Sequence, residues 1–307
     1  MNGCRRRDTG AFRPLFSCIE MRMMGHPFMR KVATTIRWCC AALLLSVQGC
    51  ATPSVVPGAG PQRIGLALTI QKVAPDAYVV THEAGIAPAN IAAVRMPDGS
   101  LVLASSPYDT ETTRAMVRWL REAFHPKRIL AINTHFHPDG TAGNEAYQEE
   151  GVETYASDLT QELIGTKATE VRRMTARAVG APLREPMERT RTVQAAHTFD
   201  ARAGLTLELG GEQVQVIYPG PAHSPDNVAV FFPARRVLYG GDVVRAATAG
   251  LGYLGDAQVD GWEAAVKKLE ALAPLVVIPG HGAPGGPELL THTEDAARAA
   301  TTPQSPR

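Results

Sequence analysis

Two histidines and an aspartate stand at alternate positions, His135, His137 and Asp139, within Thr134-His135-Phe136-His137-Pro138-Asp139-Gly140. In extended backbone residues i and i+2 point the same way, so both imidazoles can face one point, and Asp139, after a proline turn, can face a second. Neutral imidazoles and a carboxylate suit a borderline-soft divalent ion. Taken alone, the triplet reads equally as a histidine-rich surface loop.

Three further ligand types recur in the same setting, where a strand ends and glycine or proline turns the chain. They are His223 after Tyr218-Pro219-Gly220-Pro221-Ala222, Asp242 after Tyr239-Gly240-Gly241, and His281 after Ile278-Pro279-Gly280. Small neighbours let the backbone approach a buried ion. Six such ligands can hold two metals. His135, His137 and His223 make a three-histidine site with an open fourth position; Asp139, Asp242 and His281 make a second. Ser224 and Asp226 read as residues that fix the loop under His223. His26, His82, His125, His197 and His292 lack motif partners and read as surface or loop residues.

The elements that must position these ligands follow from the pattern. Residues 128–133 form an apolar run bounded by turn signals, so the first triplet lies at the C-terminal end of a buried strand, where α/β proteins collect ligands. Residues 64–73 and 77–81 pair around Ala74-Pro75-Asp76, and 90–96 and 101–105 form a hairpin around Pro97-Asp98-Gly99. A helix over 110–124 has Thr110 as N-cap and Met116, Trp119 and Leu120 at core spacing. A helix over 141–148, a strand over 152–156 and a helix over 159–164 capped by Asp158 follow. Residues 167–197 are charged and helical at first, carry no β pattern, and read as an insertion laid over the domain, either a plain surface excursion or a pocket wall. Strands return at 205–209, 213–218, 227–232 and 237–240, then a helix at 262–272, a strand at 275–278 and a helix at 287–299. This β-rich-then-α order, twice over, predicts two packed sheets with helices outside rather than a doubly wound parallel sheet.

The chain has 307 residues, 45% hydrophobic and 20% charged, enough for one large domain, placed at 63–302. Of 31 basic and 30 acidic residues, eight and two fall within the first 50, so the body carries 23 against 28 and is mildly acidic. No basic stripe or aromatic platform points to nucleic acid. All five cysteines, Cys4, Cys18, Cys39, Cys40 and Cys50, lie at or before position 50, so the body has no disulfide and no thiolate ligand. Arg30, Lys31 and Arg37 precede an apolar stretch of about ten residues, too short to span a bilayer. It ends at Val47-Gln48-Gly49-Cys50, which resembles a bacterial lipoprotein signal cleaved before Cys50, with a plain cleaved signal peptide as the alternative. Ala51 beside the cysteine suits sorting to the outer membrane on its periplasmic side. Residues 1–28 add nothing to the signal, and a start at Met21, Met23, Met24 or Met29 would leave it intact. Residues 51–62 read as a flexible tether.

Taken together, 134–140, 154–157, 218–227, 236–242, 250–257 and 276–282 resemble the metallo-β-lactamase superfamily over about residues 70 to 300, most closely its B1 subclass. The resemblance implies an α+β fold, the αβ/βα sandwich of two mixed sheets, and a cleft holding two zinc ions per chain. It departs from the subclass in several places. Asp242 stands where those enzymes have cysteine; Gly140 stands where many other hydrolases of the superfamily have an extra histidine. Tyr253 replaces an asparagine associated with the substrate carbonyl. Ser105 stands near a common aspartate, and Arg245 falls where a lysine for the substrate carboxylate is frequent; Arg keeps that charge and can bind it bidentately. The implied reaction is hydrolysis of a cyclic amide, foremost a β-lactam, by a zinc-activated hydroxide oriented by Asp139, with Arg245 and Tyr253 on the substrate. The alternatives are a lactone or thioester hydrolase of the cell envelope, an iron-dependent oxidoreductase of the same fold, and a metal-binding envelope lipoprotein without turnover. A monomer is expected, with a small-molecule substrate and membrane contact only through Cys50.

Overall fold

The computed structural model describes residues 60–65, 67–84 and 88–301. The signal region, Cys50 and residues 51–59 of the tether lie outside the described residues; all described residues belong to the compact unit Thr52–Arg307.

Strands β1 (Gln62–Gly65), β2 (Leu68–Ala74), β3 (Ala77–His82), β4 (Ala89–Arg95) and β5 (Ser100–Ala104) form an antiparallel meander. Parallel strands β6 (Arg128–Ile132), β7 (Glu153–Ser157) and β8 (His197–Phe199) extend it to an eight-stranded sheet in sequence order. Parallel pairing needs a crossover, and helix α1 (Thr110–Phe124) supplies the one from β5 to β6. In the second sheet β9 (Leu205–Leu209), β10 (Glu212–Ile217), β11 (Ala229–Phe232) and β12 (Val237–Gly241) are antiparallel. Strand β13 (Val276–Pro279) then adds parallel to β12. The remaining helices are α2 (Pro138–Thr141), α3 (Asn144–Glu149), α4 (Asp158–Thr166), α5 (Ala168–Val179), α6 (Arg184–Arg189), α7 (Val259–Glu270) and α8 (Glu288–Thr301).

Strand alternation sorts the core into layers. Val102 and Ala104 of β5 and Leu130 and Ile132 of β6 face the second sheet, meeting Val214, Val230, Val237 and Tyr239. Leu101, Leu103, Ile129 and Ala131 face outward onto Met116, Val117 and Leu120 of α1. On the other side Leu238 and Val277 pack against Trp262, Val266 and Leu269 of α7 and Leu289 and Leu290 of α8. Each fully buried valine, leucine, isoleucine or methionine among them stabilises by roughly 1.5–3 kcal/mol. The result is the expected α+β sandwich of two mixed sheets with helices outside.

Three local expectations are corrected. The cap of α1 is Asp109, one residue earlier than Thr110: its Oδ1 accepts from Thr112 N–H at 2.8 Å. Likewise Ser157, not Asp158, caps α4 by accepting from Thr160 N–H at 3.1 Å. His82 is a core residue, 2% exposed at the end of β3, where its Nδ1 accepts from Tyr108 N–H at 3.3 Å. Within 167–197 the chain forms α5 and α6. Buried Arg172 of α5 donates from Nη1 to the Met187 and Glu188 carbonyls of the α6 end, and Ala176 packs with Tyr108, Ala84 and Ala89.

Candidate metal centre

The first ligand loop leaves β6 at Ile132 and is pinned before it reaches the histidines. Asn133 donates from Nδ2 to Gly140 O (2.9 Å) and Asn144 Oδ1 (2.8 Å), and Asn144 returns a bond to Asn133 Oδ1 (2.9 Å). The Thr134 hydroxyl meets that of Ser105 at 2.6 Å; Ser105 holds a left-handed backbone at φ 74. Pro138 opens the single turn α2, and Asp139 follows in its first turn, near the orphan N–H groups that favour a carboxylate. Gly140 is required sterically, since a Cβ there would lie 2.1 Å from His135 O. The extra histidine of other hydrolases cannot be accommodated on this backbone.

The second half brings its ligands to the same place. Val228 N–H donates to Thr134 O at 2.7 Å, joining the His223 loop to the first loop. Ser224 Oγ donates to Asp226 Oδ1 at 2.7 Å and Asn227 holds Ser224 N–H and Gly220 O, so these residues do fix the loop. Asp242 follows Gly241, whose φ is 53, and a Cβ on Gly280 would sit 1.9 Å from Asp242 Oδ1. Asn90 of β4 binds the Pro279 and Gly282 carbonyls at 2.9 and 2.7 Å, fixing the loop that carries His281.

All six predicted ligands converge. His137 Nδ1 and His223 Nε2 lie 3.0 Å apart. Asp139 offers Oδ1 at 3.6 Å from His135 Nε2 and Oδ2 at 3.4 Å from His281 Nε2. Asp242 Oδ2 is 3.1 Å from His281 Nε2 and 3.4 Å from His223 Nε2. The trios His135/His137/His223 and His135/Asp139/Asp242 each place their ligand atoms within 4.8 Å of one another. His135 Nε2 and Asp242 Oδ1 are buried with no hydrogen-bond partner. Buried polar atoms normally find one, and divalent cations held in this cluster would satisfy both. The residues fit zinc by donor type and by these orphaned atoms.

The outer contacts aim the rings. His281 Nδ1 donates to Pro88 O at 2.8 Å, turning Nε2 to the carboxylates. His137 Nε2 donates to Asp256 Oδ2 at 3.0 Å, leaving Nδ1 for the cluster; Lys167, at the start of α5, lies 3.7 Å from the other Asp256 oxygen. Asp256, Asn90, Asn133 and Asn144 had no role in the sequence reading. Asp256 lay inside the recognised stretch 250–257, where its carboxylate was the available signal.

Burial pushes His223 down to about 3, against the pull of Asp242, so its imidazole is neutral. Burial also opposes charge on His281, but Asp242 and Asp139 overcome it and hold this ring well above the ordinary histidine value. Burial would raise Asp242; His281 and His223 outweigh it and hold its carboxyl well below the usual range.

The centre opens into a cleft of about 780 Å³. Arg245 lines it at 8% exposure rather than standing in solvent. Its N–H donates to Thr293 Oγ1 and its Nε to Gly250 O, each at 2.8 Å, and among the described residues it has no carboxylate partner. Tyr253 also lines the cleft, its ring edge-on to His137 at 5.8 Å. Burial and the neighbouring Asp256 carboxylate raise its hydroxyl above the ordinary tyrosine value.

The fold and centre agree with comparisons to known proteins. The profile of the family described as "Metallo-beta-lactamase superfamily" matches residues 110–281. A Bacteroides fragilis protein named metallo-beta-lactamase type 2 is 31% identical over 195 residues, 62% of this chain and 68% of the relative. A protein of the same name from Pseudomonas aeruginosa is 28% identical over 197 residues, 64% of this chain and 68% of the relative. The solved metallo-beta-lactamase from Pontibacter korlensis superposes with TM-score 0.63 at 26% identity, covering 75% of this chain and 99% of that one. The DIM-1 metallo-beta-lactamase gives TM-score 0.63 at 29% identity, covering 77% and 99%. The chain belongs to the metallo-beta-lactamase superfamily, and within it is B1-like. It is a metallo-beta-lactamase-like hydrolase with a candidate His/Asp metal site.

Proposed function

We propose that the protein is a two-zinc hydrolase that opens a cyclic amide, with β-lactams as the leading substrate. The observation that carries this is the convergence of six buried or half-buried ligands beside a cleft holding a buried arginine that has no carboxylate partner among the described residues. When bound at these ligands, zinc supplies a Lewis acid and brings the pKa of a water it holds to about 7. His135, His137 and His223 would hold one ion; Asp139, Asp242 and His281 would hold the other. Asp139, with one oxygen toward each ligand group, accepts a hydrogen bond from the attacking water and fixes its direction. The free Nη groups of Arg245 take a substrate carboxylate, which places the amide carbonyl at the cluster. No serine or cysteine nucleophile is involved.

A second reading, hydrolysis of a lactone or thioester, is favoured by Asp242, since aspartate rather than cysteine at this place marks other hydrolases of the resemblance. Turnover of a chromogenic cephalosporin by zinc-loaded protein, beside a lactone and a thioester, decides between them. Cephalosporin turnover at least about tenfold above the others in kcat/KM supports the β-lactam; the reverse order selects the second reading, and no turnover at all removes both. We place the protein at the periplasmic face of the outer membrane through lipidated Cys50. A Cys50→Ala variant should then move to the soluble fraction; unchanged membrane fractionation contradicts the anchor.

A further inference from the structure

Helix α5 belongs to the segment read as an insertion, yet one of its faces lines the cleft beside the candidate metal ligands. Val171, Met174, Thr175, Ala178 and Val179 recur at i, i+3, i+4, i+7 and i+8, one stripe of a helix. Its buried stripe, Ala168, Arg172 and Ala176, faces elsewhere and is anchored by the Arg172 bonds to the end of α6 and by Ala176 against Tyr108. Arg173 and Arg177 are exposed. At its C-terminal end Val179 also packs against the Tyr108 and Met187 cluster, while Met174 and Ala178 of the stripe are exposed to the cleft on a helix that is itself fixed.

The exposed surface points the same way. Four large apolar side chains are exposed among the described residues, and two of them, Met174 at 43% and Tyr253 at 46%, line this one cleft. Scattered exposed apolar residues need no explanation, but a cluster facing across a cleft marks a binding surface. Arg245 comes from the opposite half of the sandwich, tied to Thr293 of α8, and carries the charge. A cleft of about 780 Å³ lies in the upper part of the range that encloses a drug-sized ligand.

We infer that α5 is the substrate-selecting wall of the cleft, receiving a bulky apolar substituent of an anionic cyclic amide whose carboxylate Arg245 holds. This rests on the hydrolase reading above and deepens it. A substituent on this wall removes apolar area from water on both partners, so it favours one substrate over another without touching the reacting atoms.

The test uses full-length zinc-loaded protein and two penicillins that differ only in an acetyl or a phenylacetyl side chain. The parent should prefer the phenylacetyl substrate by about tenfold or more in kcat/KM. Met174→Glu and Ala178→Glu, both at exposed positions, should reduce that preference to within about threefold. The same variants are read without turnover by calorimetry with succinate and 2-benzylsuccinate, where the benzyl preference should fall in parallel. A parent without preference in either assay, or variants that keep it, overturns the wall. Absence of penicillin turnover together with a benzyl preference lost in both variants overturns the β-lactam reading and keeps the wall.

Discussion

The two ligand trios differ in charge and in how the chain delivers them. His135, His137 and His223 are imidazole donors with side chains only 2%, 6% and 3% exposed, set on two loops joined directly by Val228 N–H to Thr134 O. Asp139, Asp242 and His281 come from three separate strand ends, and His281 is 23% exposed. Before any metal enters, the second trio is an ion cluster in which two carboxylates share one imidazolium. A cation at the first trio meets His223 already neutral and His137 raised, against its burial, above the ordinary value by Asp256; at the second it must displace the proton that two carboxylates hold on His281. The difference teaches that similar ligand counts do not make equal sites: the second trio should bind later, release sooner and respond to pH.

The comparison breaks most sharply at Asp242. Asp242→Ala should keep one zinc per chain and lower kcat by about a hundredfold or more, because the second ion contributes several kcal/mol to the transition state. Two tightly held zincs in that variant, by elemental analysis after dialysis against chelator, would show the assignment to be wrong. Asp256→Asn acts on the first trio instead. Losing the carboxylate behind His137 should weaken zinc there by about 10–100-fold, read by competition with a chromogenic chelator, while the second trio changes little.

Proton competition sharpens the contrast further. His281 is raised above the ordinary value of 6.5 by its two carboxylates. Its stabilising ion pairs are therefore complete below about pH 6.5 and are lost as pH rises through the folded-state value. Zinc must expel the same proton, so affinity at the second trio should rise between pH 6 and 8 with proton release in calorimetry. His223 has the opposite sign. Its folded value of about 3 leaves it neutral while the unfolded chain protonates first, so metal-free protein should lose stability as pH falls from about 6.5 toward 3. Urea unfolding across that range checks it. The smallest effect lies outside the site: Asp109→Ala should cost about 1 kcal/mol by uncapping α1, leaving metal content unchanged.

The ligands were legible because their types are rare, their spacing is short, and each follows a strand whose apolar run ends in glycine or proline. The sandwich was legible from strand alternation and the repeated β-then-α order. Legibility failed where ordinary residues act across long sequence distances. Asn133 and Asn144 look like loop amides until Gly140 O and Asn144 Oδ1 are seen to complete the Asn133 bonds. Asn90 looks like a strand residue, yet it holds the turn around His281 from 189 and 192 positions away. Caps shifted by one because Asp109-Thr110 and Ser157-Asp158 each pair two residues able to cap. His82 was misplaced because a polar type at a strand end reads as surface, while packing beside Tyr108 buries it. Residues 167–197 were seen as an insertion, but their apolar cleft face was hidden among arginines and glutamates.

The central claim is tested most directly by the rate of chromogenic cephalosporin hydrolysis as zinc is added stepwise to metal-free protein. The account predicts little rate with the first equivalent, a steep rise with the second and a plateau at two per chain. A rate that is complete at one equivalent, or absent at every zinc concentration while the protein remains folded, would contradict it.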